Sequence, residues 1–403
     1  MPFAPSPSAS TGTRSRNVAS PDERPIERQG SWSQSSSIVD NPHLGSPRSA
    51  LREIEAILQG LTDNLIRGYD TICIPYRSRT ASQQPLGQLN FPGRSVNEAT
   101  KFTRMVRIME LSRQALLAGR VITKRNIYYQ APDLFRDQAT VDRLVDDLAC
   151  TLGVGRSGLN IVASPKGLIA GPLRVLATDG TVLSFASDQD KCDLVPPVRN
   201  IQRIDLSVAR WVLVIEKEAT FRTLAASQYW RNSSHGQGII VTGKGYADLT
   251  TLEFLHLVHT LRPLLPMLCV VDCDPHGIEI LRTYMYGSKT LDHEVNTRIP
   301  GIHWLGVKME DIFSRESRSG RNGISWRHQS AVDSLITLTA TDRKTAVRVL
   351  QSIDDQVDED SHDDLEQARE LQVMLMLNVK AEIQAIDDMG DLSSWLNEKM
   401  QPV

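Results

Sequence analysis

The chain has 403 residues, enough for two or three domains, and a formal net charge of −3 at pH 7, which excludes a protein that coats nucleic acid with its whole surface. Five cysteines at irregular spacing form neither a disulfide framework nor a zinc pattern. Because no apolar run is long enough to span a membrane and no signal peptide is visible, we expect a soluble intracellular protein without a membrane partner.

The first part of the chain is predicted to be a disordered tail followed by two helices. Residues 1–48 are rich in Ser, Pro, Arg and Gly and lack the apolar side chains that a folded core needs. Apolar residues at helical spacing then predict helices at 50–65 and 97–118. The polar residues 77–93 between them are predicted to form a loop.

Two further helices are predicted from their capping residues. Thr123 is an N-cap for a short helix at 124–130, which has to end before Pro132. Asp137 is an N-cap for an amphipathic helix that ends at Gly153. Together with the two before them, these helices follow one another closely along the chain.

A β-rich stretch follows the helices. Residues 160–185 are predicted as strand, turn, strand, turn, strand, because 165–167 and 179–180 carry turn residues. Several helices followed by a β-hairpin are typical of a winged helix, which places one helix in a DNA groove with the hairpin beside it. The polar stretch 187–197 ends in two prolines and marks a domain boundary. We therefore predict a winged-helix DNA-binding domain at 49–197.

Two apolar runs in the second half stop abruptly at carboxylates. One run ends at Glu216 and Glu218, and the other ends at Asp272 and Asp274. Short unbroken runs of Val, Leu and Ile predict strands buried on both faces of a parallel sheet, where ligands bind outside the carboxyl ends. Glu216, Asp272 and Asp274 would then share one rim and repel one another unless a cation neutralises them. Hard oxygen ligands of this kind suit Mg²⁺ or Mn²⁺.

Other interpretations of these carboxylates remain open. Acidic residues after strands often cap the next helix instead of binding a metal. An Asp-x-Asp sequence at a strand end also occurs in phosphatases that use an aspartate nucleophile. Those enzymes do not require the upstream strand that ends in Glu216, so Glu216 discriminates between the two kinds of site.

Strands and helices alternate through the second half of the chain. Further strands are predicted at 238–242 and 303–307. Helices are predicted at 219–231, at 249–261, after His276, at 365–386 and at 392–400. This alternation predicts an α/β domain with a mostly parallel sheet at 198–403, and therefore a multi-domain α/β protein.

The short helix at 124–130 carries a pair of tyrosines, Tyr128 and Tyr129, close to Arg125. A tyrosine can act as a nucleophile, but with a pKa of about 10 it needs activation, which a guanidinium and a divalent metal can supply. Most tyrosine pairs are ordinary core residues with a tethered hydroxyl. This pair stands out because cutting DNA with a tyrosine requires a groove reader, a nucleophile and a metal, and the chain offers candidates for all three.

Seven stretches of the chain, in this order, resemble one family. They are ITKRNIYYQAPDLFRDQATVDRLVDDLACTLGV, SPKGLIAG, VIEKEATF, VTGKGYADL, VDCDPHGIEI, YMYGS and WLGV. Over residues 100–384 they are similar to the meiotic double-strand-break transesterases, the eukaryotic relatives of the topoisomerase VI protein that cuts DNA. The resemblance implies a catabolite-activator-like winged helix followed by a Toprim domain.

The resemblance implies roles for five residues on the DNA side of the site. Tyr129 matches the family's nucleophile, with Tyr128 as its neighbour. Arg125 matches a basic residue that acts at the scissile phosphate. Lys166 matches a position that contacts DNA, and Tyr246 is expected to face DNA.

On the metal side, the resemblance agrees with the rim of carboxylates. Glu216, Asp272 and Asp274 match the family's Mg²⁺ ligands, and Glu218 matches a supporting carboxylate. His276 stands where the family most often has tyrosine.

The implied reaction is a transesterification in double-stranded DNA that starts homologous recombination in meiosis. Tyr129 would become linked to a 5′ end, and a homodimer would cut both strands, the tyrosine of one protomer acting at the metal site of the other. Residues 243–245 lack the spacing and the hydroxyl of a Walker loop, so the ATP-binding component, similar to the B subunit of topoisomerase VI, would be another polypeptide. Meiotic accessory proteins and a place on chromosomes in the nucleus are also implied.

Two alternatives stay open beside the transesterase. One is a metal-dependent nuclease or phosphatase that uses the carboxylates and not the tyrosine. The other is a DNA-binding scaffold without chemistry.

Overall fold

The computed structural model describes residues 37–38, 47–81, 85–186, 192–287, 294, 296–313, 335–355, 362–388 and 392–400. The predicted tail therefore lies outside the described residues, apart from strand β1 (Ser37–Ile38) and the first two residues of the helix that begins at Pro47. Buried apolar side chains form two clusters in the described part of the chain. The first core extends from Ala50 to Ile161, and the second core extends from Leu168 to Met400.

The first core is mainly helical. Its helices are α1 (Pro47–Ile66), α2 (Val96–Leu117), α3 (Lys124–Gln130), α4 (Pro132–Phe135) and α5 (Gln138–Leu152). Its strands are β2 (Ile72–Tyr76), β3 (Gly87–Phe91), β4 (Ile122–Thr123) and β5 (Ile161–Val162). The predicted loop at 77–93 is wrong over its second part, because β3 pairs with β2 in an antiparallel hairpin. Only Leu89 of β3 is buried, so the strand has no apolar alternation to reveal it.

The predicted caps of α3 and α5 are confirmed. The Thr123 hydroxyl accepts a hydrogen bond from the Asn126 amide at 3.0 Å, and the Asp137 carboxylate accepts one from the Thr140 amide at 2.7 Å. Gly153 ends α5 in the left-handed conformation, with φ of 65°. The short helix with the two tyrosines therefore begins where local sequence dictates.

The β-rich stretch after α5 forms strands, but it does not form one unit. The three strands are β6 (Leu168–Ala170), β7 (Arg174–Ala177) and β8 (Val182–Ser184). β6 joins the central sheet of the second core, whereas β7 and β8 form a hairpin that pairs with β10 (Ile201–Asp205). The expected wing beside the first domain is therefore corrected: all three residues of β6 are buried in the second core. The two clusters of buried side chains are separated between Ile161 and Leu168, and the domain boundary at residue 197 stays a prediction.

The second core is organised around a six-stranded sheet. The sheet has the order β14, β13, β11, β12, β6, β9, and its first four strands are parallel. The strands are β9 (Asp193–Leu194), β11 (Val212–Ile215), β12 (Ile239–Thr242), β13 (Met267–Val270) and β14 (Ile302–Gly306). Every residue of β11, β12 and β13 is buried, as the apolar runs predict for a mostly parallel sheet.

Helices surround this sheet, and a small antiparallel pair of strands lies near the end of the chain. The helices are α6 (Glu218–Ala226), α7 (Tyr229–Asn232), α8 (Leu249–Leu261), α9 (Pro275–Tyr286), α10 (Met309–Phe313), α11 (Ala340–Asp354), α12 (His362–Leu377), α13 (Gln384–Asp388) and α14 (Leu392–Lys399). The strands are β15 (Leu335–Thr337) and β16 (Val379–Ala381). No helix in the described ranges combines the length and the apolar character needed to cross a bilayer.

The predicted helix at 365–386 is interrupted. It ends at Leu377, because Asn378 takes a left-handed conformation with φ of 57° and β16 follows. The amide of Ala381, the last residue of β16, donates to the carbonyl of Cys273 at 3.0 Å. The end of the chain is thereby held against the carboxyl edge of the central sheet.

Candidate active site

Tyr129 lies on the exposed face of α3, which we call the nucleophile helix. Its side chain is 61% exposed. Arg125, one turn earlier, donates from Nε and Nη2 to the Tyr129 hydroxyl at 3.3 and 3.2 Å. The guanidinium also lies 5.6 Å from the centre of the Tyr129 ring. The contact places a guanidinium and a tyrosine hydroxyl together at the exposed surface of the helix.

Tyr128 has a different environment from its neighbour. It packs partly against the first core, and its ring centre lies 5.4 Å from that of Tyr129. A cleft of about 460 Å³ opens beside both rings. It is lined by Lys124, Arg125, Tyr128, Tyr129, Gln138, Asp142, Ala163 and Ser164. None of the predicted metal ligands belongs to this lining.

The base of the nucleophile helix is anchored by a buried ionic cluster that sequence reasoning missed. Lys124 donates to Asp146 at 2.9 Å, and Asp146 also pairs with Arg79 at 2.5 Å and Arg156 at 2.6 Å. Burial raises the pKa of Asp146, but Lys124 and Arg156 outweigh it and lower that pKa. Burial and Arg156 lower the pKa of Lys124, because one carboxylate is shared among three cations. The sequence feature that could have revealed this cluster is Asp146, an acidic residue on the apolar face of α5.

Lys166 lies on the loop before β6. A hydrogen bond connects this loop to residues 243–245 after β12, which we call the basic turn. Its backbone amide and that of Gly167 donate to Oδ2 of Asp248 at 2.7 and 3.1 Å. Oδ1 of the same carboxylate caps α8 by accepting from the Thr251 amide at 2.8 Å. The Lys166 ammonium donates to the carbonyl of Lys244 at 3.2 Å. Two lysines are thus presented together near the end of β12.

Tyr246 follows this basic turn and is 44% exposed. Its hydroxyl donates to the Glu279 carboxylate at 2.5 Å, and Glu279 also pairs with Arg348 at 2.7 Å. Burial and the bond to Glu279 raise the pKa of Tyr246 well above its ordinary value. The hydroxyl is therefore protonated at neutral pH, and the ring is held at the surface.

Glu216, Asp272 and Asp274 lie at the carboxyl ends of two adjacent parallel strands, β11 and β13, as the sequence predicts. We call these three residues the carboxylate rim. The Glu216 carboxylate accepts a hydrogen bond from the Asp272 amide at 2.8 Å. Burial, and then the charge of Asp272, raise the pKa of Glu216 to about 7. Burial also raises the pKa of Asp272. Burial is thus the first cause of the raised pKa at both of these carboxyl groups.

Asp274 caps a helix as well as belonging to the rim. Its Oδ1 accepts from the Gly277 amide at 2.6 Å, which is the capping interpretation left open by the sequence. A Cβ atom on Gly277 would lie 2.3 Å from the Asp272 carbonyl oxygen, so only glycine fits there. The other oxygen of Asp274 lies 3.7 Å from the Lys380 ammonium.

Both oxygens of Asp272 have protein partners. Oδ1 accepts from the Ile383 amide at 2.9 Å, and Oδ2 lies 3.0 Å from the Lys217 ammonium. Lys217 also contacts Glu382 and Gln384, each at 3.0 Å. Sequence reasoning missed this contribution from the end of the chain.

Glu218 is directed to the basic turn. It accepts from Arg222 at 2.6 and 2.8 Å and pairs with Lys244 at 3.1 Å. Hydrogen bonds from Arg222 and Lys244 lower the pKa of Glu218. The carboxylate is therefore ionised, and it links the first turn of α6 to the turn after β12.

The donor chemistry of the rim suits a divalent cation, because Glu216, Asp272 and Asp274 offer hard carboxylate oxygens at the ends of adjacent strands. Their arrangement is nevertheless closed. Across the ranges that the structure describes, no three acidic, histidine or cysteine side chains are placed to hold a metal ion together. Protein donors occupy the oxygens of Asp272 and Asp274 that a metal would use.

Two family models match the chain. One describes the Toprim domain shared by Spo11 and the A subunit of topoisomerase 6, and it matches residues 211–399, which include the carboxylate rim. The other describes a type IIB DNA topoisomerase, and it matches residues 100–161, which include the nucleophile helix.

Similar proteins cover most of the chain. The meiotic recombination protein rec12 of Schizosaccharomyces pombe is 32% identical over 325 residues, which are 80% of this chain and 82% of that protein. The A subunit of DNA topoisomerase 6 from Arabidopsis thaliana is 30% identical over 369 residues, 88% of this chain and 80% of that protein. The meiotic recombination protein SPO11 of Homo sapiens is 33% identical over 259 residues, 64% of this chain and 61% of that protein.

Proposed function

The chain belongs to the family that unites Spo11-type meiotic recombination proteins with the DNA-cutting component of topoisomerase VI, and from this we propose that it is a DNA-cleaving transesterase that makes meiotic double-strand breaks. Residues 211–399 form its Toprim domain. The observation that carries the proposal is the pairing of an exposed Tyr129 hydroxyl with Arg125 on a helix beside an open cleft.

In the proposed reaction the Tyr129 hydroxyl loses its proton and attacks a backbone phosphorus. A bond forms between Oη and phosphorus as the bond between phosphorus and the 3′ oxygen breaks, and the 3′ oxygen takes up a proton. The product is a tyrosine ester at the 5′ end, so no water is consumed. Arg125 stabilises the phenolate before attack and the phosphate charge during it, and Tyr128 supports the ring of its neighbour.

Glu216, Asp272 and Asp274 would hold Mg²⁺, or Mn²⁺ in its place. When bound, the ion supplies neutralising charge to the phosphate oxygens. Glu218 acts as the supporting carboxylate through its contact with Lys244, which keeps the basic turn beside the rim.

Double-stranded DNA is the proposed substrate. Lys166 and Tyr246 would contact it, since both lie at the surface near the carboxyl edge of the sheet. The first core would serve as the winged-helix reader, with the hairpin β2–β3 in place of the wing expected at 160–185. Phosphate contacts of this kind position DNA without selecting its sequence.

The proposed assembly is a homodimer on chromosomes in the nucleus, together with a protein similar to the B subunit of topoisomerase VI and meiotic accessory proteins. Two observations support a dimer. The tyrosine and the carboxylates belong to separate cores, and the described lining of the Tyr129 cleft contains no rim carboxylate. A second copy would bring its own rim to the tyrosine.

The test is recovery of DNA covalently attached to the chain, from meiotic cells and from purified protein with Mg²⁺. We expect a nucleotide on Tyr129, loss of attachment by about 10³-fold or more in Tyr129→Phe, and retained attachment in the matched control Tyr128→Phe. Breaks with free ends in Tyr129→Phe would instead establish a metal-dependent nuclease. Unchanged break levels in cells lacking the chain would overturn the proposal and favour the DNA-binding scaffold.

A further inference from the structure

Lys217 is placed differently from the other lysines near the rim. Its ammonium lies 3.0 Å from Oδ2 of Asp272, whereas Lys380 lies 3.7 Å from the Asp274 carboxylate and is held at 3.0 Å by Asp342. Lys217 is thus in direct contact with a central carboxylate of the rim. It comes directly after Glu216, so its backbone lies at the end of the same strand.

We propose that Lys217 is the chain's own counter-cation for Asp272 and that its ammonium and a divalent metal ion exclude each other at that carboxylate. This inference rests on the proposed function, because it concerns the same rim. It assigns to Lys217 the control of the affinity of the rim for a divalent metal ion.

The closed arrangement of the rim follows from this contact. With Oδ1 of Asp272 bonded to the Ile383 amide and Oδ2 paired with Lys217, a metal ion finds no free oxygen on Asp272 along these directions. The ammonium, 3.0 Å from a buried carboxylate oxygen, would also repel an incoming cation strongly. Metal entry therefore requires Lys217 to leave.

The neighbouring segment offers Lys217 a place to go. Glu382 and Gln384 each contact its ammonium at 3.0 Å, so it keeps a carboxylate and an amide partner after releasing Asp272. The Glu382 side chain is half-exposed, so it holds the displaced ammonium at the surface. Lys217 exchanges one carboxylate for another and does not become unpaired.

A purely structural role for Lys217 makes the opposite prediction. If Lys217 only fixes the orientation of Asp272, removing it would disorder a ligand and weaken metal binding. If it competes with the metal, removing it strengthens metal binding. The sign of the change in affinity separates the two.

The experiment measures Mn²⁺ binding to the full-length chain without DNA. The readout is the decrease in the electron paramagnetic resonance signal of free Mn²⁺. Asp274→Asn defines the Mn²⁺ that binds elsewhere on the chain. We expect Lys217→Met to bind Mn²⁺ about tenfold more tightly than the parent chain. Lys217→Arg keeps the positive charge and should bind no more tightly than the parent chain.

Lys380→Met is the matched control, because it removes a neighbouring lysine that does not contact Asp272. We expect it to change the affinity by less than about twofold, since the Lys380 ammonium is held by Asp342 at 3.0 Å and lies farther, at 3.7 Å, from the Asp274 carboxylate. Equal tightening in Lys380→Met and Lys217→Met would overturn the proposal in favour of a general charge effect. Unchanged or weaker binding in Lys217→Met would also overturn it.

A second variant decides the matter if Lys217→Met does not fold. Glu382→Gln removes the partner that receives the displaced ammonium, so we expect Mn²⁺ binding to weaken by about fivefold. Unchanged or tighter binding would contradict the proposal. A parent chain with no Mn²⁺ site sensitive to Asp274→Asn would overturn the metal site of the proposed function together with this inference.

Discussion

The nucleophile helix and the carboxylate rim are built in opposite ways. Tyr129 is largely exposed, and its hydroxyl takes its hydrogen bonds from one surface side chain, Arg125. Asp272 is buried, and a backbone amide and the Lys217 ammonium hold its two oxygens. One half of the site is open at its reactive atom, and the other is satisfied from within the chain.

The difference shows where each half obtains its charge balance. In our proposal the exposed Arg125 guanidinium beside Tyr129 takes its negatively charged partner, a DNA phosphate, from outside the chain, whereas the rim already contains a cation of its own, Lys217. Changes at the exposed tip of the nucleophile helix should therefore alter chemistry and leave stability unchanged. Changes at the base of that helix or in the rim should alter stability.

The largest effect is expected at the base of the nucleophile helix. Asp146→Ala leaves Lys124, Arg79 and Arg156 without their shared carboxylate, and two of these cations are nearly buried. We expect a loss of about 3–5 kcal/mol in the free energy of unfolding, measured by urea denaturation. Asp142→Ala is the control one turn earlier, because Asp142 is half-exposed and lies 3.9 Å from Lys124. A similar loss in both variants would show that the buried cluster contributes no more to the free energy of unfolding than the half-exposed Asp142 does.

The next effect is a pH dependence that originates in the rim. The pKa of Glu216 is raised from 4.5 to about 7 by burial and by Asp272, so the folded chain holds this proton more tightly than the unfolded chain. The resulting stability is complete below about pH 4.5 and is lost as the pH rises through about 7.

Unfolding of the chain in EDTA should therefore show a loss on the order of 3 kcal/mol from this group between pH 4.5 and 8, and Glu216→Gln should remove it. Saturating Mn²⁺ should also reduce the loss, because the ion stabilises the ionised rim. Identical pH profiles for the parent chain and Glu216→Gln would refute the assignment to Glu216.

A smaller effect contrasts two glycines. In Gly277→Ala the new methyl group would meet the Asp272 carbonyl at 2.3 Å, so α9 has to shift at a loss of about 1–3 kcal/mol. In Gly60→Ala the methyl group meets nothing within 4 Å inside α1, and we expect a gain of about 0.5–1 kcal/mol. Urea denaturation of the two variants side by side should give opposite signs. The same sign for both would contradict the close approach at Asp272.

The smallest effect on stability is expected at the reactive tyrosine. Tyr129→Phe removes a hydroxyl that is bonded to an exposed arginine, so the free energy of unfolding should change by less than about 0.5 kcal/mol. Thermal melting of the variant and the parent chain measures this. A large shift would mean that loss of DNA attachment in this variant reflects misfolding.

The elements with strong local signals could be predicted from the sequence. The cap at Thr123 and the end at Gly153 are properties of single residues, and the buried runs before Glu216 and Asp272 are long enough to stand out. The hairpin strand around Leu89 could not be predicted, because only one of its five residues is buried and the strand therefore has no alternation of apolar and polar residues.

The pairing partners of the β-rich stretch could not be predicted in the same way. Leu168 pairs with Thr242, far along the chain, and nothing in the local pattern distinguishes that partner from the adjacent hairpin. The same limit applies to the site. The amide that binds Asp272 belongs to Ile383, 111 residues later, and a backbone amide leaves no mark on the sequence. Carboxylates at strand ends are visible in a sequence, whereas the groups that hold them are not.

The contact between Ile383 and Asp272 has a consequence for folding during translation. The three carboxylates of the rim are synthesised before residue 275, but the amide of Ile383, 111 residues after Asp272, and the partners of Lys217 at 382 and 384 leave the ribosome later. A nascent chain therefore carries its acidic residues without their final arrangement. The rim is completed only when residues 382–384 have been made, so a truncated product that stops before residue 382 keeps the nucleophile helix and lacks a finished rim.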